Sequence, residues 1–393
     1  MRILHITYVY PPRLNVADGI TNMVYNVTKE LAKRGHHVVV YTSNLLNLHG
    51  HKVLPTGHHI INGVDVFYLR SLWRYKTFTF TPSLFRLLSR KEHFDVIHIH
   101  DSRSFQGIST YMLEKTKNIP YVFQPHGSYL SFSPEPYSIK IPKILIDKLI
   151  SQRIVKKASK IIALSKMEAD QYRNIGIFND KIAIIPNGID LSEFAVLPPK
   201  GSFRKKFNIP DDKKIILYLG RIHKTKGIDL LIKSYAHLVK NMKCNKTVLV
   251  LVGPNDGYLH EVKSLAVSLG VSTSIVYTGF IDNEDKLSAL VDADIFVTPS
   301  FYGFPVTFLE ACITGTPIIT TNLGDTLEWI NGNVGYVTSP NSYDMAKAIY
   351  TIISDDELYL KFSKNCINTV TSSFSIKKVV TQLEMVYKEL AEN

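Results

Sequence analysis

Two basic side chains lie five positions apart in the segment whose composition most clearly predicts chemistry, Gly220-Arg221-Ile222-His223-Lys224-Thr225-Lys226-Gly227. The segment follows an apolar run typical of a buried strand and precedes a helical pattern over Ile228 to Val239. The N-terminus of a helix favours an anion because its free backbone N–H groups point outward, and Arg221 and Lys226 add positive charge. The pattern predicts a diphosphate clamp, with a solvated basic loop as the alternative. The spacing is not that of a Walker P-loop, so ATP hydrolysis by that route is not supported.

A second strand-to-helix segment runs from Thr298 to Cys312. Gly303 allows a tight turn, Thr307 can cap the first helical turn, and the amides near Val306 and Thr307 can donate to phosphate oxygens. Glu310 lies one turn further into the helix, with its side chain directed back toward the N-terminal end. Its carboxylate can accept both hydroxyls of a ribose. An ordinary solvated helix charge is the alternative for Glu310.

Parallel strands must position both segments. Apolar runs alternate with amphipathic helical patterns along the chain, and the runs are too apolar for half-exposed strands. They lie at 3–9, 38–42, 95–100, 121–123 and 160–165, and then at 215–220, 248–253, 275–277, 295–298 and 318–320. A turn-rich stretch over 186–210 separates the two sets. We therefore expect two doubly wound α/β domains that face one another across a cleft at the carboxyl ends of both sheets.

Composition limits the class of protein. The 393 residues are 45% hydrophobic and 20% charged, which suits two compact domains and excludes collagen-like, disulfide-scaffold and wholly disordered chains. Cys244, Cys312 and Cys366 form no C-x-x-C pair, so we expect a reducing compartment and no structural metal. The first residues enter a strand too early for a signal peptide, and no long uncharged apolar run occurs, so we expect a cytoplasmic protein.

Five motifs in order make the sequence resemble the family 4 retaining glycosyltransferases. They are the Pro-rich loop leading to Asp18-Gly19-Ile20, Pro125-His126-Gly127, Ile185-Pro186-Asn187-Gly188-Ile189-Asp190, the Gly-Arg-x₄-Lys-Gly run at 220–227, and Tyr302 to Glu310 closing on Gly315-Thr316-Pro317. The resemblance implies the GT-B fold, with an N-terminal acceptor-binding domain at 1–193 and a nucleotide-sugar-binding domain at 194–373. The helix at 374–393 is expected to cross back and pack on the first domain.

The resemblance also implies a function and a set of site residues. A hexose-type sugar moves from a nucleotide-diphosphate sugar, which is a co-substrate, to a glycan or lipid-linked acceptor, and no cofactor or metal is required. Arg221 and Lys226 would hold the diphosphate and stabilise the leaving nucleotide, and His126 would hydrogen-bond the sugar or support the transition state. The implied donor-binding residues are Gly19, Asn187, Gly220, Ile281 (at the base), Tyr302, Phe304, Val306, Thr307 and Glu310 (at the ribose).

Tyr302 departs from the family pattern, because it stands where the E-x₇-E motif has its first glutamate. This places recognition of the sugar in question and leaves a non-catalytic nucleotide-sugar-binding protein as the alternative function. Two other patterns have plain structural explanations. His98 and His100 share one face of a strand and are read as core or cleft wall, and Asp292-Ala293-Asp294 is read as a helix end and turn.

The net charge of +12 favours an acidic partner. The stretch 140–160 interleaves basic and apolar residues, and 73–80 is a cationic aromatic run. Both are typical of attachment to an anionic membrane at its cytoplasmic face, which would favour a glycolipid or polyprenyl-phosphate-linked acceptor. A solvated helix face and a mobile loop are the alternatives. No nucleic-acid-binding module is recognised, so a nucleic-acid partner is not expected.

Overall fold

The computed structural model describes residues 1–10, 19–46, 52–75, 78–89, 92–100, 105–117, 119–126, 152–301, 303–324 and 328–392. It divides into two compact units, of which unit 1 comprises residues 1–189 and 376–393 and unit 2 comprises residues 190–375. The boundaries expected from the sequence lay at 193/194 and 373/374.

Sixteen strands and thirteen helices occur in the described part of the chain. The strands are β1 (Arg2–Ile6), β2 (His37–Ser43), β3 (Gly57–Ile61), β4 (Val64–Leu69), β5 (Trp73–Tyr75), β6 (Phe78–Phe80), β7 (Val96–Ile99), β8 (Tyr121–Phe123), β9 (Lys160–Ala163), β10 (Ile182–Ile184), β11 (Lys214–Leu219), β12 (Thr247–Val252), β13 (Ile275–Gly279), β14 (Ile295–Thr298), β15 (Ile318–Thr321) and β16 (Gly335–Thr338). The helices are α1 (Gly19–Lys33), α2 (Ser83–Leu88), α3 (Phe105–Lys117), α4 (Gln152–Lys157), α5 (Lys166–Asn174), α6 (Ser202–Lys206), α7 (Ile228–Lys240), α8 (Leu259–Ser268), α9 (Asn283–Asp292), α10 (Val306–Ile313), α11 (Ser342–Ile353), α12 (Asp356–Ser373) and α13 (Ile376–Glu392).

Unit 1 is built on an eight-stranded sheet with the order β10-β9-β8-β7-β1-β2-β4-β3. Neighbours are parallel except for β3 and β4. The order reverses between β1 and β7, which is the switch point where doubly wound sheets hold ligands. Helix α13 packs on α1 and β7. The buried side chains of α13 recur at helical spacing, and Glu384 on this helix pairs with Arg34 at 2.7 Å, so the last helix completes the core of unit 1.

Unit 2 is built on a six-stranded parallel sheet with the order β13-β12-β11-β14-β15-β16. Its switch point lies between β11 and β14. The strands β11 and β12 are almost entirely buried and are runs of aliphatic residues, as expected for strands covered by helices on both faces. Helix α7 buries Ile228, Leu231, Ile232 and Tyr235 against this sheet. The strand-to-helix loops at the switch point therefore rest on a rigid scaffold.

The cationic aromatic run at 73–80 includes a two-stranded antiparallel hairpin formed by β5 and β6. The Gln106 side-chain amide donates to the Thr79 hydroxyl at 2.8 Å, and Phe80 contacts the edge of Phe105, which ties the hairpin to α3. Most of the basic stretch at 140–160 lies outside the described residues. Among the residues that are described, no helix has both the length and the apolar character that crossing a bilayer requires.

Candidate functional site

The loop after β11 is held in place by backbone and side-chain hydrogen bonds. The Gly220 N–H donates to the Val252 carbonyl at 2.9 Å, and the Tyr218 hydroxyl donates to the Arg221 carbonyl at 2.9 Å. A 3₁₀ turn then covers Lys224–Lys226, and Gly227 adopts a left-handed conformation at φ 67° to start α7. Glycine accepts that conformation without steric cost. The loop therefore presents its basic side chains from a defined backbone.

Arg221 and Lys226 differ in their electrostatic partners. The Arg221 guanidinium is half exposed and pairs with the Asp256 carboxylate at 2.5 Å. Lys226 is partly buried, and desolvation followed by the positive charge of Arg221 lowers its pKa. No hydrogen bond or ion pair reaches the Lys226 ammonium from any residue that the structure describes. A half-desolvated cation without a counter-charge favours the binding of an anion.

The loop before α10 lies beside the loop of Arg221 and Lys226. A Cβ atom on Gly227 would lie 3.0 Å from the Pro299 Cβ and 3.5 Å from the Ser300 Cβ. This proximity follows from the sheet order, because β11 and β14 are neighbours at the switch point. The two segments singled out from the sequence therefore lie side by side at the carboxyl edge of one sheet.

The start of α10 differs from expectation in one respect. Pro305 is the N-cap residue and makes no side-chain capping bond, and Thr307 is the second residue of the helix, so the expectation that Thr307 caps the first turn was wrong. Helix geometry leaves the amides of Val306 and Thr307 without intrahelical partners, which makes them donors for an anion. The Phe304 side chain is buried and packs on Trp329 and Phe374, so a nucleotide sugar would not contact that side chain.

Glu310 and the segment at Ile281 are connected through α9. The Lys286 ammonium on α9 donates to Glu310 Oε1 at 2.8 Å, with both side chains mostly buried. The same helix begins just after Ile281, where the Asp282 carboxylate caps it by accepting from the Asp285 N–H at 2.9 Å. Glu310 is therefore held in one orientation by an ion pair, in contrast to an ordinary solvated helix charge.

The remaining described site residues lie in unit 1. Gly19 is the exposed first residue of α1, and Asn187 is buried after β10. His126 follows β8, is 8% exposed, and adopts φ 53°, a left-handed conformation that is uncommon outside glycine. Burial lowers the pKa of His126 to about 4, and a side-chain hydrogen bond with Asn187 opposes that shift. His126 is therefore a neutral imidazole at pH 7.

Two patterns with plain structural explanations in the sequence are made of buried or paired side chains. His98 and His100 are 0% and 2% exposed, as expected for core residues. The Asp292 carboxylate accepts from the backbone amides of Gly201 and Arg204, and Asp294 pairs with the Arg204 guanidinium at 3.3 Å. Both carboxylates of the formal D-x-D motif therefore bind backbone amides or a guanidinium of the protein itself, at a helix end and turn. Tyr302 lies outside the described residues.

Two family models match successive parts of the chain. The model described as Glycosyltransferase Family 4 matches residues 17–193, and the model described as Glycosyl transferases group 1 matches residues 199–369. The chain belongs to glycosyltransferase family 4. The resemblance seen in the sequence motifs is confirmed, and so is the expectation of an enzyme that transfers glycosyl groups.

Relatives match this family 4 glycosyltransferase over most of its length. The uncharacterized glycosyltransferase MJ1607 of Methanocaldococcus jannaschii is 28% identical, and the alignment spans 99% of this chain and 98% of that protein. The UDP-Gal:alpha-D-GlcNAc-diphosphoundecaprenol alpha-1,3-galactosyltransferase of Escherichia coli is 25% identical, over 86% of this chain and 87% of its own. Sucrose-phosphate synthase from Thermosynechococcus elongatus has a TM-score of 0.76 at 22% identity, over 99% of this chain and 98% of that one, which confirms the expected fold of two Rossmann-like units.

Sequence reasoning missed three side chains that this glycosyltransferase places against its candidate residues. Asp256 pairs with Arg221, Lys286 pairs with Glu310, and the His5 imidazole hydrogen-bonds His100. The first two are ordinary surface charges in the sequence and gave no signal. His5 gave no signal either, because only the pairing of β1 with β7 places it directly beside His98.

Proposed function

We propose that the protein transfers a hexose-type sugar from a nucleoside-diphosphate sugar to a glycan or lipid-linked acceptor, with retention of anomeric configuration as in its family. One observation carries the donor assignment: the half-desolvated Lys226 ammonium, which has no counter-charge among the described residues, sits in the loop beside the uncapped start of α10. Two negative charges on a diphosphate would satisfy the unpaired cation and the free amides together.

Each site residue then has a chemical role. As the anomeric C–O bond breaks, both of its electrons leave with the nucleoside diphosphate, and Arg221 and Lys226 stabilise that charge. The acceptor oxygen forms the new bond to the anomeric carbon, and its proton passes to the departing phosphate. Glu310 accepts the ribose hydroxyls, and the backbone at Ile281 contacts the base. His126 hydrogen-bonds a hydroxyl of the transferred sugar. The two cations supply charge that a divalent ion supplies elsewhere, so we expect transfer without added metal.

The activities for which two relatives are named or were crystallised suggest which donors to test first. The Escherichia coli relative is named for a UDP-galactose donor and a diphosphoundecaprenol-linked acceptor, and Anabaena HepE, with a TM-score of 0.76 at 18% identity over 99% of this chain and all of that chain, was crystallised with UDP. UDP-hexoses are therefore the first donors in the assay, and prenyl-diphosphate-linked sugars are the first acceptors.

The donor assignment is tested with two lysines of the same turn. Lys226→Ala should weaken UDP binding by about 1.5–3 kcal/mol, roughly 10- to 150-fold, because a charge-assisted bond is lost. Lys224→Ala is the matched control, since Lys224 is exposed two residues away in the same 3₁₀ turn. Titration calorimetry with UDP measures both. Equal affinity in the two variants would refute the clamp.

The non-catalytic alternative is separated from the enzyme by turnover. The purified protein is incubated with a panel of nucleotide sugars, and released nucleoside diphosphate is measured with and without acceptor. Release that depends on the Lys226 side chain supports the transferase. Tight binding of one nucleotide sugar without release, across the acceptors tried, would favour the binding protein instead.

Attachment to an anionic membrane is a second proposal, and the surface of unit 1 supports it. The hairpin of β5 and β6 exposes 57% of Trp73, and the neighbouring Leu72 is 59% exposed. Helix α4 buries Ile154 and Val155 and leaves its basic side chains exposed, so this helix would contact lipid through charge alone. Basic side chains near an anionic surface are each attracted by about 1 kcal/mol.

Flotation with vesicles of phosphatidylglycerol and phosphatidylcholine tests the membrane proposal. We expect binding at low salt that is lost at high salt, because screening weakens exposed charges. The test variant reverses three exposed charges of unit 1, at Arg153, Lys156 and Lys157, to Glu. The control variant reverses three exposed charges of unit 2, at Lys243, Lys347 and Lys364, to Glu. Failure to float at low salt, or equal loss in both variants, would reject the proposal.

A further inference from the structure

Lys286 and Glu310 form an ion pair that is largely withdrawn from water. The Lys286 ammonium donates to Glu310 Oε1 at 2.8 Å, and only 23% of the lysine side chain and 13% of the glutamate side chain are exposed. Neither side chain has another ion-pair partner among the residues that the structure describes. Removing one of them would leave the other charge without compensation, so each side chain depends on the other.

The two oxygens of the Glu310 carboxylate have different surroundings. Oε1 accepts the hydrogen bond from Lys286, whereas Oε2 has no hydrogen-bond partner in the described part of the chain. Oε2 is not fully buried, so a ligand can reach it. A carboxylate oxygen accepts hydrogen bonds and donates none. Oε2 therefore favours a ligand group that donates a hydrogen bond, such as a hydroxyl.

Lys286 belongs to a rigid part of the fold. It lies on α9, which is capped by the Asp282 carboxylate and buries Leu290 completely. The hydroxyl of Thr316, which follows α10, donates to the Leu290 carbonyl at 2.8 Å and connects the two helices. The ammonium therefore approaches Glu310 from a fixed direction, and it leaves Oε2 as the oxygen that is open to a ligand.

We propose that Lys286 is a positioning residue that makes the donor site selective for ribonucleoside diphosphates. It acts by holding the Glu310 carboxylate in one orientation, so that Oε2 accepts a ribose hydroxyl, and this inference rests on the proposed function. Helix α9 begins just after Ile281, the segment assigned to the base, and the ribose hydroxyls are the donors nearest to the base. A ligand without these hydroxyls leaves Oε2 without a donor inside the site and is bound less tightly, although its phosphates are the same.

The binding of three ligands tests the proposal without any turnover. UDP has both ribose hydroxyls, 2′,3′-dideoxy-UDP has neither, and inorganic pyrophosphate has no ribose. Titration calorimetry on the full chain should show that UDP binds at least about tenfold more tightly than dideoxy-UDP, because a hydrogen bond to a charged group is lost. Lys286→Met should reduce this ratio to about threefold or less. It should change the affinities for dideoxy-UDP and pyrophosphate by less than about twofold, since these ligands do not use Glu310.

Lys206→Met is the matched control. The exposed Lys206 side chain pairs with the Asp285 carboxylate at 2.6 Å, one residue before Lys286 on the same helix. This variant should keep the wild-type ratio of UDP affinity to dideoxy-UDP affinity. An unchanged ratio in Lys286→Met would overturn the proposal. Equal losses for all three ligands would also overturn it, because attraction of the phosphates or a merely structural role would act on every ligand alike.

A double variant keeps the test decisive if Lys286→Met does not fold. Combining Lys286→Met with Glu310→Gln removes both charges, so neither is left without its partner. The double variant should bind UDP within about twofold of Glu310→Gln alone, because Lys286 acts through Glu310, and a further loss would overturn the proposal. If wild type binds pyrophosphate but does not prefer UDP over dideoxy-UDP, the role of Lys286 is refuted and the diphosphate clamp stands. If wild type binds none of the three ligands, the proposed function itself fails.

Discussion

Lowering the pH from 7.5 to 5.5 should destabilise unit 1 through its buried histidines. His5, His98, His100 and His126 have pKa values lowered by desolvation, from an ordinary 6.5 to about 3 for His5 and about 4 for His126. A lowered pKa means that the unfolded chain binds protons more readily than the folded one below pH 6.5. Their contribution to stability is therefore full above pH 6.5 and is lost as the pH falls toward the folded-state values.

The size of the effect follows from proton linkage. A histidine that titrates at 6.5 when unfolded and stays neutral when folded lowers the free energy of unfolding by about 1.4 kcal/mol between pH 7.5 and 5.5. Four such residues together give up to about 5.5 kcal/mol, which is comparable to the total stability of many domains. The carboxylates with lowered pKa values, Asp65 and Glu384, titrate below this window and do not contribute to the change.

Urea unfolding followed by circular dichroism at pH 7.5, 6.5 and 5.5 measures the slope of stability against pH. His100→Gln removes one titrating group, so it should reduce the loss between the two pH limits by about 1.4 kcal/mol. Val122→Ala is the control, because Val122 is fully buried beside His98 in the sheet and cannot titrate. It should lower stability equally at each pH. A His100→Gln variant with the wild-type slope would refute the assignment of a neutral buried ring.

Three further outcomes follow from unit 2. Glu310→Gln should weaken UDP binding about tenfold and leave inorganic pyrophosphate binding unchanged, because only UDP has a ribose that Glu310 can contact. Calorimetry measures both affinities, and equal losses for the two ligands would contradict the assignment of Glu310 to the ribose. Asp256→Asn should tighten pyrophosphate binding by about twofold, because it removes the carboxylate that pairs with the Arg221 guanidinium, and an exposed ion pair contributes only about 0.5 kcal/mol. Weaker pyrophosphate binding would show instead that Asp256 positions Arg221. Gly253→Ala should lower the free energy of unfolding by about 3 kcal/mol or more, because its Cβ would lie 1.9 Å from the Gly220 carbonyl oxygen. Gly257→Ala, which has open space around its Cβ, should lower it by about 1 kcal/mol, and urea or thermal unfolding measures both. Similar losses in the two glycine variants would contradict the close approach of Gly253 to Gly220.

The central strands were predictable because a strand buried on both faces is a continuous run of aliphatic residues in the sequence. The run at 248–253 became β12, and the helical spacing after Gly227 became α7. Some edge strands lack such a run of residues. The strand β3 is mostly exposed and contains two histidines, and it pairs antiparallel with β4, so neither its hydropathy nor the parallel pattern indicated it. Strand β16, at one edge of the sheet of unit 2, is only partly buried and was also missed.

The candidate site was predictable where one segment contains both the charge and the backbone that presents it. The loop at 220–227 has its cations and its final glycine within eight residues, and its helix begins at the next residue, so local sequence determines that arrangement. Thr307 shows the limit of the same reasoning. The residue type suits a cap, but Pro305 fixes the backbone two positions earlier and makes itself the N-cap. A shift of two residues in the start of the helix changes the predicted role of a side chain from cap to first-turn residue.

Residues that act through another side chain were the least predictable, because their effect depends on contacts between distant parts of the chain. His5 and His100 are 95 positions apart and meet only because β1 and β7 are neighbours in the sheet. Strand order is decided by how the helices cover both faces of the sheet, so no local pattern contains it. A single histidine on a strand reads as core. Three of them joined at their nitrogens form one buried cluster, and only the order of the strands in the sheet brings them together.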